Sequence, residues 1–297
     1  MNNIFQKTSS YWAKYSEYEY RQGKDGILYL TPTPTAKPSV YDPLKDSSTM
    51  VLDALNVGML AMKRAGETKI KQAVMEFVAK YGLLGFMTAL PTTPKFMDYE
   101  AVYLPKNHFL REETMSTQDY ISLYFPFGKP DFYKDEKTAR WNVSGEREIM
   151  ALAMTFSNEP TAMNMSFQRE YAERYDWLAQ QFKDLAFTFT SSFLYYEDYD
   201  RLDEVTRDLY RQGMAAFGGI APTYHIALYD KSTIVWDFHS LLLGVQMMFS
   251  FMLTDEKKPL RSCKHCNMAF AAGNPKAVFC SPKCKNQYNV YKNRGKK

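Results

Sequence analysis

Cysteine is scarce in this chain. There are four in 297 residues, and all four lie between positions 263 and 284. The larger part of the protein must therefore hold together without disulfides, and at this length it can bury a sizeable core unaided. Histidine is equally rare, with four residues. His108, His225 and His239 are scattered, with no Ser or Cys nucleophile motif and no carboxylate cluster matched to them. They read as structural, and the sequence offers no catalytic constellation, so no enzyme activity is expected. No Gly-rich loop of the P-loop or dinucleotide type is present, and Gly218-Gly219 reads as a turn. Internal repeats, heptads and low-complexity tracts are also missing. The longest apolar run, Ile234 to Leu253, carries Asp237, His239 and Gln246. Charge and polarity at membrane depth are costly, so the run reads as a buried core helix and no membrane association is expected. Met1 to Lys7 lacks a basic start followed by an apolar segment. A cytoplasmic location is the default, and there thiols stay reduced.

What is present is an aromatic, ordinarily apolar chain: 45% apolar residues, with 22 Tyr, 20 Phe and 17 Met. Tyrosines in such number favour a core of amphipathic rings whose hydroxyls find partners. Charge is distributed unevenly. Residues 255–297 hold 11 Lys and Arg against 2 Asp and Glu, a net of +9; residues 1–254 hold the remaining 26 against 31, a net of −5. A zinc ion on four thiolates would lower the tail to about +7. A basic module on an acidic body points to an anionic partner, nucleic acid first, with a merely solvated tail as the alternative.

The expected fold class is mainly α with small β elements (α+β). A mostly helical body spans 1–254, with a β-hairpin near 223–236, and a small finger with a basic tail spans 255–297. Tyr11, Tyr15 and Tyr18 recur at helical spacing and suggest a short amphipathic helix, followed by a turn at Gly23–Gly26 and a strand from Ile27 to Leu30. Thr31 to Pro38 reads as an extended, polyproline-like connector. Helices are expected from about Asp46 to Ala65, with Leu52, Leu55, Met59 and Met62 inward, and from about Lys69 to Met87, forming an αα-hairpin. Pro91 to Pro94 ends it. A strand at Ala101–Leu104 and a loop with Pro105 and Asn107 follow. Further helices are expected over 142–157, over 163–190 with Phe167, Tyr171, Tyr175, Leu178, Phe182 and Leu185 on one side, and over 198–217. Glu197, Asp198, Asp200, Asp203 and Glu204 form an acidic run of the kind found at a solvated helix start. Thr223–Tyr229 and Thr233–Trp236 form the hairpin pattern, with Asp237 and His239 placed to cap the apolar helix that follows.

The cysteines are arranged as Cys263-x2-Cys266, thirteen residues, then Cys280-x3-Cys284. Two close pairs on separate turns supply the four donors of a tetrahedral Zn²⁺ site, with sulfur at about 2.3 Å. Disulfide pairing is the competing reading. Ser281 and Pro282 carry the marks of a helix start, which puts Cys284 in the first turn, where thiolate charge is favoured. Phe270 and Phe279 lie where such a module needs apolar packing. Tyr288 and Tyr291 continue the Cys284 face, and Lys285, Asn289, Lys292 and Lys296 form the opposite one. His265, inside the first knuckle, reads as exposed and not as a ligand, because four thiols suffice. The pattern is knuckle, hairpin, helix: a treble clef.

Residues 255–294 resemble the CGNR-type zinc finger of bacterial proteins. The likeness rests on Arg261, Cys263, Cys266, Phe270, Phe279-Cys280-Ser281 and Cys284-Lys285-Asn286-Gln287, with Asp255 in the linker and the apolar helix upstream. Val51 to Asn56 is similar to the start of the helical domain, often called ABATE, that precedes the finger in that family. The resemblance implies zinc and a role in transcription regulation. Lys285 and Gln287 replace the Gly and Arg of the name motif, and the basic tail from Lys292 to Lys297 can make phosphate contacts in their place.

Candidate nucleic-acid contacts are Lys285, Asn286, Gln287, Asn289, Lys292 and Arg294, the Asn and Gln side chains being able to read adenine. The partner expected is DNA, or RNA. One finger buries little surface, so a homodimer is a natural arrangement, with the body sensing a ligand or dimerising. The alternative is a protein-interaction protein whose finger is purely structural.

Overall fold

The computed structural model describes residues 8–89, 98–104, 109–128, 165–216, 223–228, 230–274 and 276–294. Among them are seven α-helices and twelve short strands, a mixed α+β architecture. The helix expected over 142–157, the breaks at Pro91–Pro94, the loop with Pro105 and Asn107, and His108 lie outside the described residues.

The chain enters through strands, not the helix expected around Tyr11–Tyr18. They are β1 (Thr8–Ser10), β2 (Trp12–Tyr15), β3 (Tyr18–Gln22), β4 (Leu28–Pro32) and β5 (Pro38–Tyr41). Aromatic side chains lose rotamer freedom in a helix and fit a pleated surface better, so three tyrosines at helical spacing did not suffice. β3 and β4 form an antiparallel hairpin across the Gly23–Gly26 turn, and β2 pairs with β5. The expected connector is shorter than its composition suggests, because Thr31 and Pro32 belong to β4 and Pro38 opens β5.

Two helices follow as a hairpin, α1 (Ser47–Met62) and α2 (Glu67–Tyr81). The inward face of α1 is broader than the expected stripe: Met50, Val51, Ala54, Leu55 and Met59 are buried, whereas Leu52 and Met62 are only half-buried. α2 stops six residues short of the expected Met87, at Gly82, whose φ of 91° is left-handed. Residues 82–87 are buried without regular structure. Next come the β6 (Ala101–Tyr103) and β7 (Thr114–Ser116) pair and α3 (Thr117–Tyr124), then β8 (Glu173–Arg174), which adds to the edge of β4.

The central helix is α4 (Tyr175–Glu197). It begins twelve residues later than the expected 163 and runs past 190. Phe167 and Tyr171 are buried as expected, but they precede the helix. α5 (Glu204–Ala216) follows a 3-10 turn at Tyr199–Arg201, and Asp203 caps it by accepting from the Thr206 N–H at 2.7 Å. β9 (Thr223–Leu228) and β10 (Ser232–Asp237) are the expected hairpin, joined by β1 in parallel. α6 (Leu241–Leu253) is capped by Ser240, which accepts from the Leu243 N–H at 3.1 Å; neither Asp237 nor His239 does this. Among the described residues no helix is long and apolar enough to cross a membrane.

α1 lies at the centre, packed on α4 and also on α2 and α6. The approach of α1 to α4 depends on Gly58, where a Cβ would overlap the Phe182 carbonyl and the Ala186 methyl. Backbone cannot yield as a flexible side chain can. Gly58→Ala is expected to push the two helices apart and cost roughly 2–3 kcal/mol, in the range of core overpacking. A lowered denaturant midpoint with an unchanged slope is the readout.

Candidate metal centre

The last elements are β11 (Leu260–Ser262), β12 (Ala269–Ala271) and α7 (Pro282–Arg294). β11 and β12 pair antiparallel, and the first knuckle is the turn between them. It closes through Asn267 N–H to Cys263 O at 2.8 Å and Cys263 N–H to Met268 O at 3.0 Å. Asn267 takes a left-handed φ of 55°, a conformation asparagine tolerates better than most residues. The second knuckle is stitched to the first by Lys264 N–H to Val278 O at 2.9 Å. Ser281 caps α7, its Oγ accepting from the Cys284 N–H at 3.2 Å. The expected helix start is therefore in place, and Cys284 sits in the first turn of α7.

The four sulfurs converge, all within 4.8 Å of one another. Cys266 and Cys280 are 3.8 Å apart and Cys280 and Cys284 3.4 Å. A tetrahedron with metal–sulfur bonds of about 2.3 Å has edges of about 3.8 Å, whereas a disulfide holds its sulfurs at about 2.05 Å. All four cysteines are free, so the spacing fits a shared metal and not paired disulfides. Four donors in a tetrahedral set leave no open position for substrate, which is the arrangement of a structural site. Burial pushes the Cys263 thiol up, but N–H donors from Cys266, Cys280 and His265 outweigh it and bring it down to about 6. Cys280 is pushed up to about 12, by burial and by the sulfurs around it. Four thiolates this close repel, and a dication offsets that repulsion.

His265 is outside the donor set. It is half-buried, not exposed as expected, because its ring stacks on Tyr291 with centroids 5.8 Å apart. Tyr288 turns inward onto Phe279 at 5.2 Å, while Tyr291 remains 61% exposed. Lys285, Asn286, Gln287, Asn289, Lys292 and Arg294 are all exposed on α7. At about 100° per residue they do not form one face. Lys285, Asn289 and Lys292 fall on one stripe with Asn286 beside it, and Gln287 and Arg294 fall on the far side.

Contacts between finger and body were not visible in the sequence. Asn56 of α1 clamps the backbone of Ala269, accepting its N–H at 2.9 Å and donating to its carbonyl at 3.4 Å. Lys63 donates to the Cys266 carbonyl at 2.7 Å. Leu260 and Ala269 share the apolar core with α1, α4 and α6. Asn56 does lie in the Val51–Asn56 stretch, but nothing in the spacing reveals its partner. Elsewhere, Asp237 pairs with His225 across the hairpin, its carboxylate oxygens 3.0 and 3.1 Å from Nδ1. The acidic run is a surface feature, with Asp198 on Arg201 and Glu204 on Arg207 and Arg211.

Compared with family models, with curated proteins and with solved structures, the chain matches none.

Proposed function

We propose that the protein is a zinc-dependent nucleic-acid-binding regulator. Zn²⁺ on Cys263, Cys266, Cys280 and Cys284 would fix the start of α7, and that helix would lay Lys285, Asn289 and Lys292 against phosphates. Zinc is the metal preferred by four thiolates in a closed tetrahedral set. The observation that carries the reading is the cationic stripe of α7. It projects from a helix whose first turn holds a sulfur ligand, and none of its cations is ion-paired among the described residues. Asn286 is the side chain best placed beside that stripe to reach a base edge, whereas Gln287 and Arg294 would need a second contact surface. A homodimer would bring two such helices to one duplex.

The test is binding to random duplex and single strands over a salt series, with and without zinc. Affinity should fall linearly with salt on logarithmic axes, and Lys285→Glu with Lys292→Glu should flatten the slope by about two counterions and weaken binding at least about tenfold. Affinity indifferent to salt, or absent at low salt, removes this reading. A second reading, a protein-interaction module with a structural finger, is favoured by the Asn56 clamp, since a finger fixed to the body is a docking surface rather than a tethered arm. Partner capture that survives high salt, with no nucleic-acid affinity, would select it.

A further inference from the structure

A cavity of about 760 Å³ opens between the last turns of α4, the second half of α5 and the segment that leaves α6. Its walls are mostly apolar and aromatic: Tyr195 and Tyr196 from α4, Tyr210 and Met214 from α5, and Leu253 and Pro259 from the exit segment. Tyr195 packs against Tyr196 at 5.1 Å and Tyr210 at 5.9 Å, so the rings form a cluster. Tyr196 lines the cavity and remains 76% exposed.

The lining carries charges of both signs, and the ion pairs decide which of them is left uncompensated. Asp255 and Glu256 line the exit segment, the Asp255 carboxylate being already engaged by an ammonium, and among the described residues Arg211 is the cationic lining residue. Arg211 is already held by Glu204 at 2.9 Å and Asp208 at 2.7 Å, and its Nε donates to the Tyr195 hydroxyl at 3.3 Å. Its charge is thus offset twice. Lys257 and Lys258 follow in the chain but are not lining residues. Asp255 accepts their backbone N–H groups at 2.9 and 3.2 Å. α4 and α6 both end at the cavity, at Glu197 and Leu253, and a helix C-terminus carries partial negative charge. Aromatic faces with the Glu256 carboxylate and two helix C-termini form an environment that attracts positive charge and repels negative charge.

We propose that this cavity binds an organic cation with an apolar body. The rings take the apolar groups and the cation–π contact, and Glu256 with the helix ends balances the charge. The exit segment that forms one wall leads directly into β11 and the first knuckle, so an occupant touches the chain on its way to the metal centre. The site is independent of the α7 surface.

The experiment compares two ions of one shape and opposite charge, tetraphenylphosphonium and tetraphenylborate, by calorimetric titration of the full metal-loaded chain. Saturable one-to-one binding of the phosphonium, at least about tenfold tighter than the borate, is expected. Tyr196→Ala and Glu256→Gln should each weaken it at least about fivefold, and Tyr196→Phe should leave it within about twofold, because the ring is kept. Both positions are exposed, so the variants keep their fold. Equal affinity for the two ions, no saturable phosphonium binding, or indifference to Tyr196→Ala and Glu256→Gln would overturn the assignment.

Discussion

Chelating the metal, or substituting Cys284→Ser, is expected to unfold residues 263–294 while α1, α2 and α4 keep their hydrogen-exchange protection. Few groups in the finger are buried apart from Cys263 and the hairpin residues Leu260, Ala269 and Ala272, and no residue of α7 is buried. Such a segment cannot offset its conformational entropy by burial alone. The metal must supply the difference, and structural zinc contributes on the order of 10–16 kcal/mol in small finger peptides at neutral pH. That is as large as the whole stability of a typical domain, so loss of protection across α7 should be complete. The hairpin should respond differently. Ala269 is held by Asn56, and Leu260 is packed into the body core. Asn56→Ala in the metal-loaded protein separates docking from folding: α7 should stay protected, while exchange at Ala269 accelerates roughly tenfold, as expected for losing about 1–1.5 kcal/mol of hydrogen bonding. Full protection of α7 after verified metal removal would show that the sulfur cluster does not hold the finger together.

The metal site and the body were not equally legible in the sequence. Cysteine spacing fixes donor number and geometry locally, and the Ser281–Pro282 start acts within one turn, so the knuckles and α7 could be read residue by residue. Helix hairpin α1–α2 and strand hairpin β9–β10 were readable for the same reason, each being a local pattern with its own turn. Of the entry strands only β4 was, as the strand from Ile27 to Leu30; β2 pairs with β5 and β1 with β10, and the latter partners lie more than 200 residues apart. The Tyr11–Tyr15–Tyr18 spacing suggested a helix, but Tyr15 pairs with Pro38 and Tyr18 with Pro32, cross-strand partners that the spacing does not reveal. Helix ends failed where a tertiary contact, not a cap, decides them. α4 cannot extend back through Glu173, because that side chain is committed to another segment.

Glu173→Ala is expected to be among the most damaging single changes in the body. Glu173 is completely buried, with no lysine, arginine or histidine among its hydrogen-bond partners in the described residues. Its carboxylate accepts the successive backbone N–H groups of Leu84, Gly85 and Phe86, and the Tyr171 hydroxyl at 2.8 Å. These donors fix the irregular 82–87 run in the core, with Gly82 and Gly85 at φ of 91° and 75°. Removing the acceptor orphans several buried donors at about 1–3 kcal/mol each. The total approaches the 5–15 kcal/mol that holds a typical domain folded, so the variant should be largely unfolded or insoluble. Glu173→Gln keeps the volume but turns an amide N–H₂ toward backbone donors, and should cost about 2–4 kcal/mol. The carboxyl also imposes a pH dependence. Burial pushes it from 4.5 up to about 7, against the pull of its donors. Between those values the folded chain keeps a proton that the unfolded chain has released. Stability therefore falls as pH rises through that window, by up to about 3 kcal/mol, and levels off above it. Metal loss in acid acts in the opposite direction and is common to both proteins, so the difference between wild type and Glu173→Gln isolates the carboxyl. That difference should shrink by a few kcal/mol between pH 4.5 and 7.5, and a constant difference would mean that the donors hold the carboxylate ionised throughout.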